Sequence, residues 1–217
     1  AGGQAVSTFA GRPGEAGDAD GIGAEARFRG PEGILIDKQF LYVADAGNRM
    51  VRRIDLQSGE VVTLAGSPQP GAVVPAVDGS AGRSGTARFS RPTALAFAGT
   101  SVGSPLLIAD SGASAIRMLV DDAGGTGGSG GTVSTIAGVL NQTNCFSATP
   151  TAVVAANTTL CAPAGLVFRR DDGRVYFTQP GNAVVRAVAV RGGGQTFGSA
   201  AQNDLHFVAG SPTGVDG

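Results

Sequence analysis

The feature that most constrains the fold is an internal repeat. A pattern of apolar runs and polar turns occurs three times, starting at Pro31, Pro92 and Pro163. Each copy has a Pro, an apolar run, a turn, a second run (LYVAD, LLIAD or VYFTQ), a polar turn with Gly, and a third run that carries Arg. Because one such unit cannot bury both of its faces, the repeat predicts units that stack on one another.

One pair of polar residues keeps the same spacing in every copy. The pairs are Asp45 with Arg52, Asp110 with Arg117, and Gln179 with Arg186. Residues that recur in every unit usually serve packing within or between the units. We therefore interpret these pairs as structural, and we expect Gln179 to accept a hydrogen bond from Arg186.

Four short tetrads fix the frame of the repeat. They read TFAG, TLAG, TIAG and FVAG and occupy residues 8–11, 63–66, 135–138 and 207–210. This frame predicts approximate repeats at residues 5–60, 61–131 and 132–204, with an incomplete fourth at residues 205–217, all within one domain spanning 1–217. In the first copy we predict strands at residues 33–37, 40–44, 50–55 and 61–65.

Composition agrees with an all-β chain. The 36 glycines show no three-residue period and lie between short apolar runs, which is typical of many tight turns between strands. Four-stranded units arranged radially form a β-propeller, which usually has about four to eight blades. The predicted fold is therefore a partial β-propeller of about three four-stranded blades plus the first strand of another. We expect the remaining blades in other residues or on another chain.

The repeated motifs resemble those of the NHL-repeat family of β-propellers. The matching motifs are ARF at residues 26–28 and 87–89, LYVAD at residues 41–45, and the TLAG-type tetrads. The resemblance spans essentially the whole chain and is weakest in the third copy, where VYFTQ replaces LYVAD and TTL replaces ARF. It implies a propeller of NHL type. NHL-like amidating lyases use several metal-binding His residues, whereas this sequence has only His206.

Charge and residue types argue against several function classes. A net charge of −1, a single Lys (Lys38) and no Trp disfavour binding to nucleic acid. No apolar run approaches the roughly 18 residues that span a bilayer, so direct membrane insertion is not expected. One His cannot supply a zinc site or, with no nucleophile motif such as GxSxG, a hydrolase triad. We assign no catalytic, metal or cofactor residue.

The loop at residues 139–162 differs most from the other copies. It contains both cysteines, Cys145 and Cys161, and two glycosylation sequons, at Asn141 and Asn157. Either cysteine could be a buried thiol, and a single sequon can occur by chance. Because all four features share one loop, we predict a Cys145–Cys161 disulfide, glycosylation at both asparagines, and an extracellular or cell-surface location.

Other loops are less specific. Residues 121–131 form a Gly- and Ser-rich stretch that we interpret as a spacer. Acidic loops occur at residues 17–23, 76–82 and 214–217, and the Asp18 and Asp20 spacing resembles a calcium loop. A complete calcium loop needs about five or six oxygen ligands, so we favour turn-forming Asp-Gly here.

The sequence thus predicts a non-enzymatic module that binds proteins or serves a structural role, in a secreted or cell-surface protein and within a larger extracellular assembly. The expected partners are other proteins or further copies of the chain, with no cofactor. The alternative is a propeller enzyme, a metal-dependent lyase or hydrolase, whose site lies in the central channel with ligands from missing blades.

Overall fold

The computed structural model describes residues 5–68, 75–99, 104–121, 130–142, 153–190 and 204–210. Within these ranges the chain forms strands β1 to β15: Gly21–Ile22, Pro31–Ile36, Phe40–Asp45, Met50–Asp55, Glu60–Gly66, Gly79–Ser80, Pro92–Phe97, Leu106–Asp110, Ala115–Val120, Thr132–Ala137, Val153–Val154, Leu166–Arg169, Arg174–Gln179, Val184–Ala189 and Asp204–Gly210. Short 3₁₀ turns lie at Gly23–Glu25, Ala46–Asn48, Ser111–Ala113, Ala155–Asn157 and Pro180–Asn182.

The strands form three antiparallel sheets, which confirms the all-β class. Their strand orders are β1-β5-β4-β3-β2, β6-β10-β9-β8-β7 and β11-β15-β14-β13-β12. In each sheet, four consecutive strands form a meander and a two-residue strand from the preceding loop pairs with the last of them. We call each sheet a blade, with β2, β7 and β12 as the inner strands and β5, β10 and β15 as the outer strands.

The strands of the first copy lie close to the predicted ones. Phe40–Asp45 and Met50–Asp55 match the predicted second and third strands to within a residue. The first strand begins earlier, at Pro31, which is opposite Asp45 with a register irregularity before Ile34. Proline, which has no N–H to donate, is tolerated at the first residue of an edge strand.

The blade frame is offset from the predicted repeat frame. We expected residues 205–217 to open a fourth unit, but Asp204–Gly210 pairs with β14 and completes the third blade as its outer strand. The second and third tetrads likewise lie at the ends of the outer strands β5 and β10. The tetrad therefore closes one blade instead of opening the next.

The core lies between neighbouring blades. The cluster between the first two blades is made of Phe40, Tyr42, Ala44, Val51, Ala65, Ala81, Ala87, Phe89, Leu95, Leu106, Ile108, Leu119 and Val133. A second cluster joins the second and third blades through residues such as Leu107, Ile116, Val175 and Phe177. Burial of each large apolar side chain contributes about 1.5–3 kcal/mol, so blade stacking is the main source of stability.

The inner strands lie side by side, with β7 between β2 and β12. Gly33 allows this close approach, because a Cβ there would lie 2.5 Å from the carbonyl oxygen of Thr93 and 2.9 Å from the Cα of Ala94. The three blades are thus arranged around their inner strands, as the radial prediction requires.

Candidate functional site

The repeated polar residues meet at the turn that follows the second strand of each blade. A 3₁₀ turn begins directly after Asp45, Asp110 and Gln179. It ends in each blade at a non-glycine residue in the left-handed region, namely Arg49 (φ 59°), Ser114 (φ 55°) and Ala183 (φ 52°). This shared backbone gives the residue before the turn and the following Arg equivalent positions in every blade.

In the first blade, the carboxylate of Asp45 is fully buried and accepts three hydrogen bonds. The donors are the backbone N–H of Arg29 at 2.8 Å, Nδ2 of Asn48 at 2.7 Å and Nη1 of Arg52 at 3.1 Å. Burial raises the pKa of the Asp45 carboxyl, although these donors oppose the change. The pair therefore lies inside the blade and away from solvent.

Arg52 also reaches a second carboxylate that comes from the preceding loop. Its Nη2 donates to Oδ1 of Asp20 at 2.7 Å and to the carbonyl of Ala19 at 2.8 Å. The guanidinium lies over the ring of Phe28, 5.1 Å from the centroid. Asp20 in turn accepts from Oγ1 of Thr63 at 2.9 Å. The buried guanidinium of Arg52 therefore joins the preceding loop to the residue before the turn, and Asp20 joins that loop to the outer strand.

The second blade repeats this arrangement. Asp110 accepts from the backbone N–H groups of Ser90 and Arg91 and from Nη1 of Arg117 at 3.3 Å. Arg117 is fully buried, and its Nη2 donates to Asp78 of the preceding loop at 2.7 Å. Burial raises the pKa of the Asp110 carboxyl, against the effect of these donors. Sequence reasoning found the Asp110–Arg117 pair but missed the second carboxylate.

The third blade lacks this carboxylate network at Gln179. The strand register places Arg186 opposite Phe177, as Arg117 lies opposite Ile108. The amide nitrogen and oxygen of Gln179 are fully buried and have no hydrogen-bond partner, so the expected bond from Arg186 is absent between these two described residues. Burial lowers the pKa of the Arg186 guanidinium. The third blade therefore differs from the others in charge at this position.

The carboxylates of two acidic loops form ion pairs with arginine side chains of the same chain. Arg83, in the loop before β7, donates to the carboxylate of Asp18 at 3.0 Å and lies 3.5 Å from Asp20. Asp78 accepts from Arg117 and from Thr135. Among the described residues no group of three or more His, Cys, Asp or Glu side chains is placed to hold a metal ion. The loop at residues 214–217 lies outside the described residues.

The loop with the cysteines and sequons is described only in part. Cys145 lies outside the described residues, whereas Cys161 is buried, so the disulfide stays a prediction. The side chain of Asn141 accepts from the backbone N–H of Ala76 at 2.7 Å and donates to its carbonyl at 3.0 Å. Asn157 is exposed in a 3₁₀ turn. The two sequons therefore have different surroundings.

Some apolar side chains of the inner strands are exposed at the two ends of the described stack of blades. Ile34 and Ile36 of β2 are 68% and 61% exposed, and Val167 of β12 is 60% exposed. The first two lie on the face of the first blade that points away from the second blade, and Val167 lies on the opposite end face, beside Tyr176. We call these two surfaces the end faces.

Two further sequence features have limited structural definition. His206 lies in β15, and of the spacer at residues 121–131 only the ends are described. In the part of the chain that the structure describes, no helix is long and apolar enough to cross a membrane.

Comparison with known proteins gives short sequence matches. No protein-family model matches the chain. It is 45% identical over 47 residues to human NHL repeat-containing protein 2, which covers 22% of this chain and 6% of that protein. The chicken protein of the same name is 41% identical over 64 residues, covering 30% of this chain and 8% of the relative. The chain therefore matches only a small part of the length of these relatives.

Solved structures with the same fold extend over most of the chain. An auxiliary nutrient binding protein from Bacteroides thetaiotaomicron gives a TM-score of 0.55 at 14% identity, covering 86% of this chain and 37% of that one. A protein of the same description from Bacteroides ovatus gives 0.54 at 17% identity, covering 77% and 39%. These identities show the fold alone, and they confirm the β-propeller class. The sequence matches confirm the resemblance to NHL-repeat proteins.

Proposed function

We propose that this NHL-repeat propeller segment is a non-catalytic module that binds other proteins, or joins them structurally, in a secreted or cell-surface protein. The observation that carries the proposal is the β-propeller fold itself, in which the repeated charged residues are buried inside the blades and the loops are left as the surfaces open to partners. Ile34, Ile36 and Val167 lie on the end faces, where either a further blade or another polypeptide surface packs.

The repeated charged residues support a structural role for the interior. Asp45 and Asp110 are fully buried, and each is paired with the Arg of its own blade. The donors to these two carboxylates all belong to the same blade: backbone N–H groups that precede its inner strand, the Arg of its third strand and, in the first blade, Asn48 of the turn. Charges held in this way stabilise the blade, and they leave the end faces and loops as contact surfaces.

The extracellular part of the proposal rests on the third-repeat loop. Asn157 is exposed and accessible to glycosylation. Cys161 is buried, and the described part of the chain contains no free cysteine. The absence of a free cysteine in the described part supports the predicted pairing of Cys161 with Cys145, and an accessible sequon supports an oxidising, extracellular compartment.

Site-specific photo-crosslinking tests the binding proposal. A crosslinking amino acid is placed at Ile36, at Val167, or at the exposed Gln57 in the outer turn of the first blade as a control, in protein secreted from eukaryotic cells. We expect a defined protein adduct from an end face and none from Gln57. Equal labelling at all three positions, or none, would contradict the proposal.

Metal analysis of the full-length protein tests the enzyme alternative. Stoichiometric zinc or calcium held in the central channel would favour a metal-dependent lyase or hydrolase over a binding module.

Non-reducing mass spectrometry of the secreted protein separately tests the compartment. Free thiols at Cys145 and Cys161 with unmodified asparagines would remove the argument for secretion.

A further inference from the structure

The third blade keeps the buried arginine of the other blades, whereas the two residues that supply carboxylates in those blades are replaced by uncharged ones. Arg186 is 3% exposed, and the strand register gives it the position of Arg52 and Arg117. The residues that precede the turn are Asp45, Asp110 and Gln179. Those that precede the two-residue strand are Asp20, Asp78 and, in the sequence of the third repeat, Ala152. One guanidinium thus accompanies two aspartates in the first two blades and neither of them in the third.

The acidic residues of the third repeat do not lie near this turn. Within residues 139–210 they are Asp171, Asp172 and Asp204. The first two belong to the hairpin before β13, and Gln179 ends that strand, roughly 20 Å away. Asp204 begins β15, three residues before Phe207, which pairs with Arg186, or roughly 10 Å along the strand. The third repeat therefore provides no carboxylate at the position that two aspartates share in the other blades.

The side chain of Gln179 points independently to a ligand. It is fully buried, and both its amide nitrogen and its amide oxygen lack a hydrogen-bond partner. Buried polar groups almost always have a partner, and an amide nitrogen can only donate. The group that satisfies Nε2 of Gln179 is therefore an acceptor.

The backbone of this turn has the surroundings that hold a carboxylate in the second blade. A Cβ on Gly181 would lie 2.5 Å from Sγ of Cys161. In the second blade, a Cβ on Gly112 would lie 2.6 Å from Oγ of Ser90, whose N–H group donates to Asp110. The turn of the third blade thus packs against the segment that provides backbone donors to a carboxylate in the second.

We propose that the third blade binds one small monovalent anion, of the size of chloride or formate, between Gln179 and Arg186. The anion accepts from Nε2 of Gln179 and from the guanidinium, and it takes the place of the aspartates of the other blades. Arg52 and Arg117 also donate to backbone carbonyls, so a guanidinium with five N–H groups serves carbonyls and an anion together. The ligand is small because both side chains are buried, and it carries one charge because it neutralises one guanidinium.

The following blade is the other source of a carboxylate at this place. In the first two blades the second aspartate, Asp20 or Asp78, comes from the loop before its own blade. The acidic loop at residues 214–217 follows the third blade in the chain, so in this frame it belongs to the next one. Gln179 is also fully buried without a fourth blade. These observations favour a free anion.

Bromide locates the site, because it resembles chloride in charge and size and scatters X-rays anomalously. Crystals of the full-length protein are soaked in sodium bromide. We expect an anomalous peak within hydrogen-bond distance of Gln179 and Arg186, and none beside the arginines of the first two blades, which carry their own carboxylates. No peak in the third blade, or a carboxylate of the protein in its place, would overturn the proposal.

Thermal melting of the full-length protein measures the effect of the anion in solution. Sodium chloride replaces sodium gluconate at constant ionic strength, because gluconate is too large for a buried site. We expect Tm to rise by about 3–5 °C for each tenfold increase in chloride above its dissociation constant, for a folding unit of this size. A bromide peak without any such rise would indicate an adventitious ion only, and it would also overturn the proposal.

Three variants assign the effect to this site. Gln179→Asp and Ala152→Asp each restore an aspartate where the other blades have one, and both should make Tm insensitive to chloride. The gain in stability from Gln179→Asp should also be smallest at high chloride. Thr178→Asp adds the same charge at the neighbouring exposed residue, so it is the matched control and should keep the wild-type response. Equal chloride responses of the wild type and all three variants would refute the assignment.

The proposal stays testable if one variant does not fold. In that case Ala152→Asp and the bromide crystals still decide the question without Gln179→Asp. The anion site also stands apart from the protein-binding proposal, because its two side chains are buried within one blade. Loss of the chloride response in Gln179→Asp should therefore leave crosslinking from Ile36 and Val167 unchanged.

Discussion

Replacement of Arg117 by Ala tests whether the repeated ion pairs serve stability or binding. Arg117 is fully buried and is the only side chain that neutralises the fully buried Asp110 within the described residues. Removing one partner of a buried pair usually costs about 3–5 kcal/mol, because the other charge is left without compensation. For a chain of this size, that loss corresponds to a decrease in Tm of about 6–20 °C.

The matched control is Arg91→Ala. Arg91 donates to Glu32 at 2.7 Å, the same distance as between Arg117 and Asp78, but its side chain is 62% exposed. Exposed ion pairs contribute about 1 kcal/mol or less. Thermal melting followed by circular dichroism should therefore separate the two variants clearly. Normal melting of Arg117→Ala together with lost partner binding would reverse the structural assignment.

The same variant has an expected pH dependence. Burial already raises the pKa of Asp110, and loss of Arg117 removes one of the groups that lower it. A carboxyl whose pKa is higher in the folded than in the unfolded state binds more protons when folded, so it favours folding increasingly as the pH falls. The deficit of Arg117→Ala relative to the wild type should shrink from pH 8 toward pH 5. Adding Asp110→Asn should also recover part of the deficit, and a deficit independent of pH would refute the reasoning.

Three further predictions concern the third blade and its loop. Gln179→Asp should stabilise the protein by about 1–2 kcal/mol in denaturant unfolding, because a carboxylate there can pair with Arg186 whereas the amide has no partner among the described residues; unchanged stability would show that Arg186 does not reach a carboxylate at this position. Ala183→Gly should add about 0.5–1 kcal/mol, because the exposed Ala183 has φ 52°, and a lower Tm would contradict this. Glycopeptide mass spectrometry of the secreted protein should find higher glycan occupancy at Asn157 than at Asn141, because the side-chain amide of Asn141 is hydrogen-bonded to the backbone of Ala76. The reverse order would show that accessibility in the folded state does not determine glycan occupancy at these sites.

The strands and the two pairs Asp45–Arg52 and Asp110–Arg117 could be predicted because their signals are local and repeated. The run Phe40–Asp45 and the following Met50–Asp55 keep their apolar pattern in each copy. The spacing of Asp45 and Arg52 is likewise fixed by a single hairpin, because Asp45 pairs with Met50 at the end of β3 and β4 and Arg52 pairs with Val43 two residues further along. Contacts of this kind depend only on register, which the sequence carries directly.

The second carboxylate of each cluster could not be predicted in this way. Asp20 and Asp78 reach Arg52 and Arg117 across 32 and 39 residues, so the offset differs between copies and no fixed spacing reveals it. The left-handed residues Arg49 and Ser114 were missed for another reason. Glycine, the usual signal for positive φ, lies two positions earlier in each turn.

The two-residue strands that precede each meander affect how a blade responds to force. Gly21 and Ile22 pair with Val61 and Glu60, so the start of the first blade is fastened to its last strand. The N-terminal end of β1 and the C-terminal end of β5 leave this antiparallel pair on the same side. Tension between the two ends of a blade therefore breaks the hydrogen bonds between β1 and β5 one after another, in an unzipping geometry. We expect a pulled chain to peel from its outer rim at low force, while the sheets around the axis stay stacked.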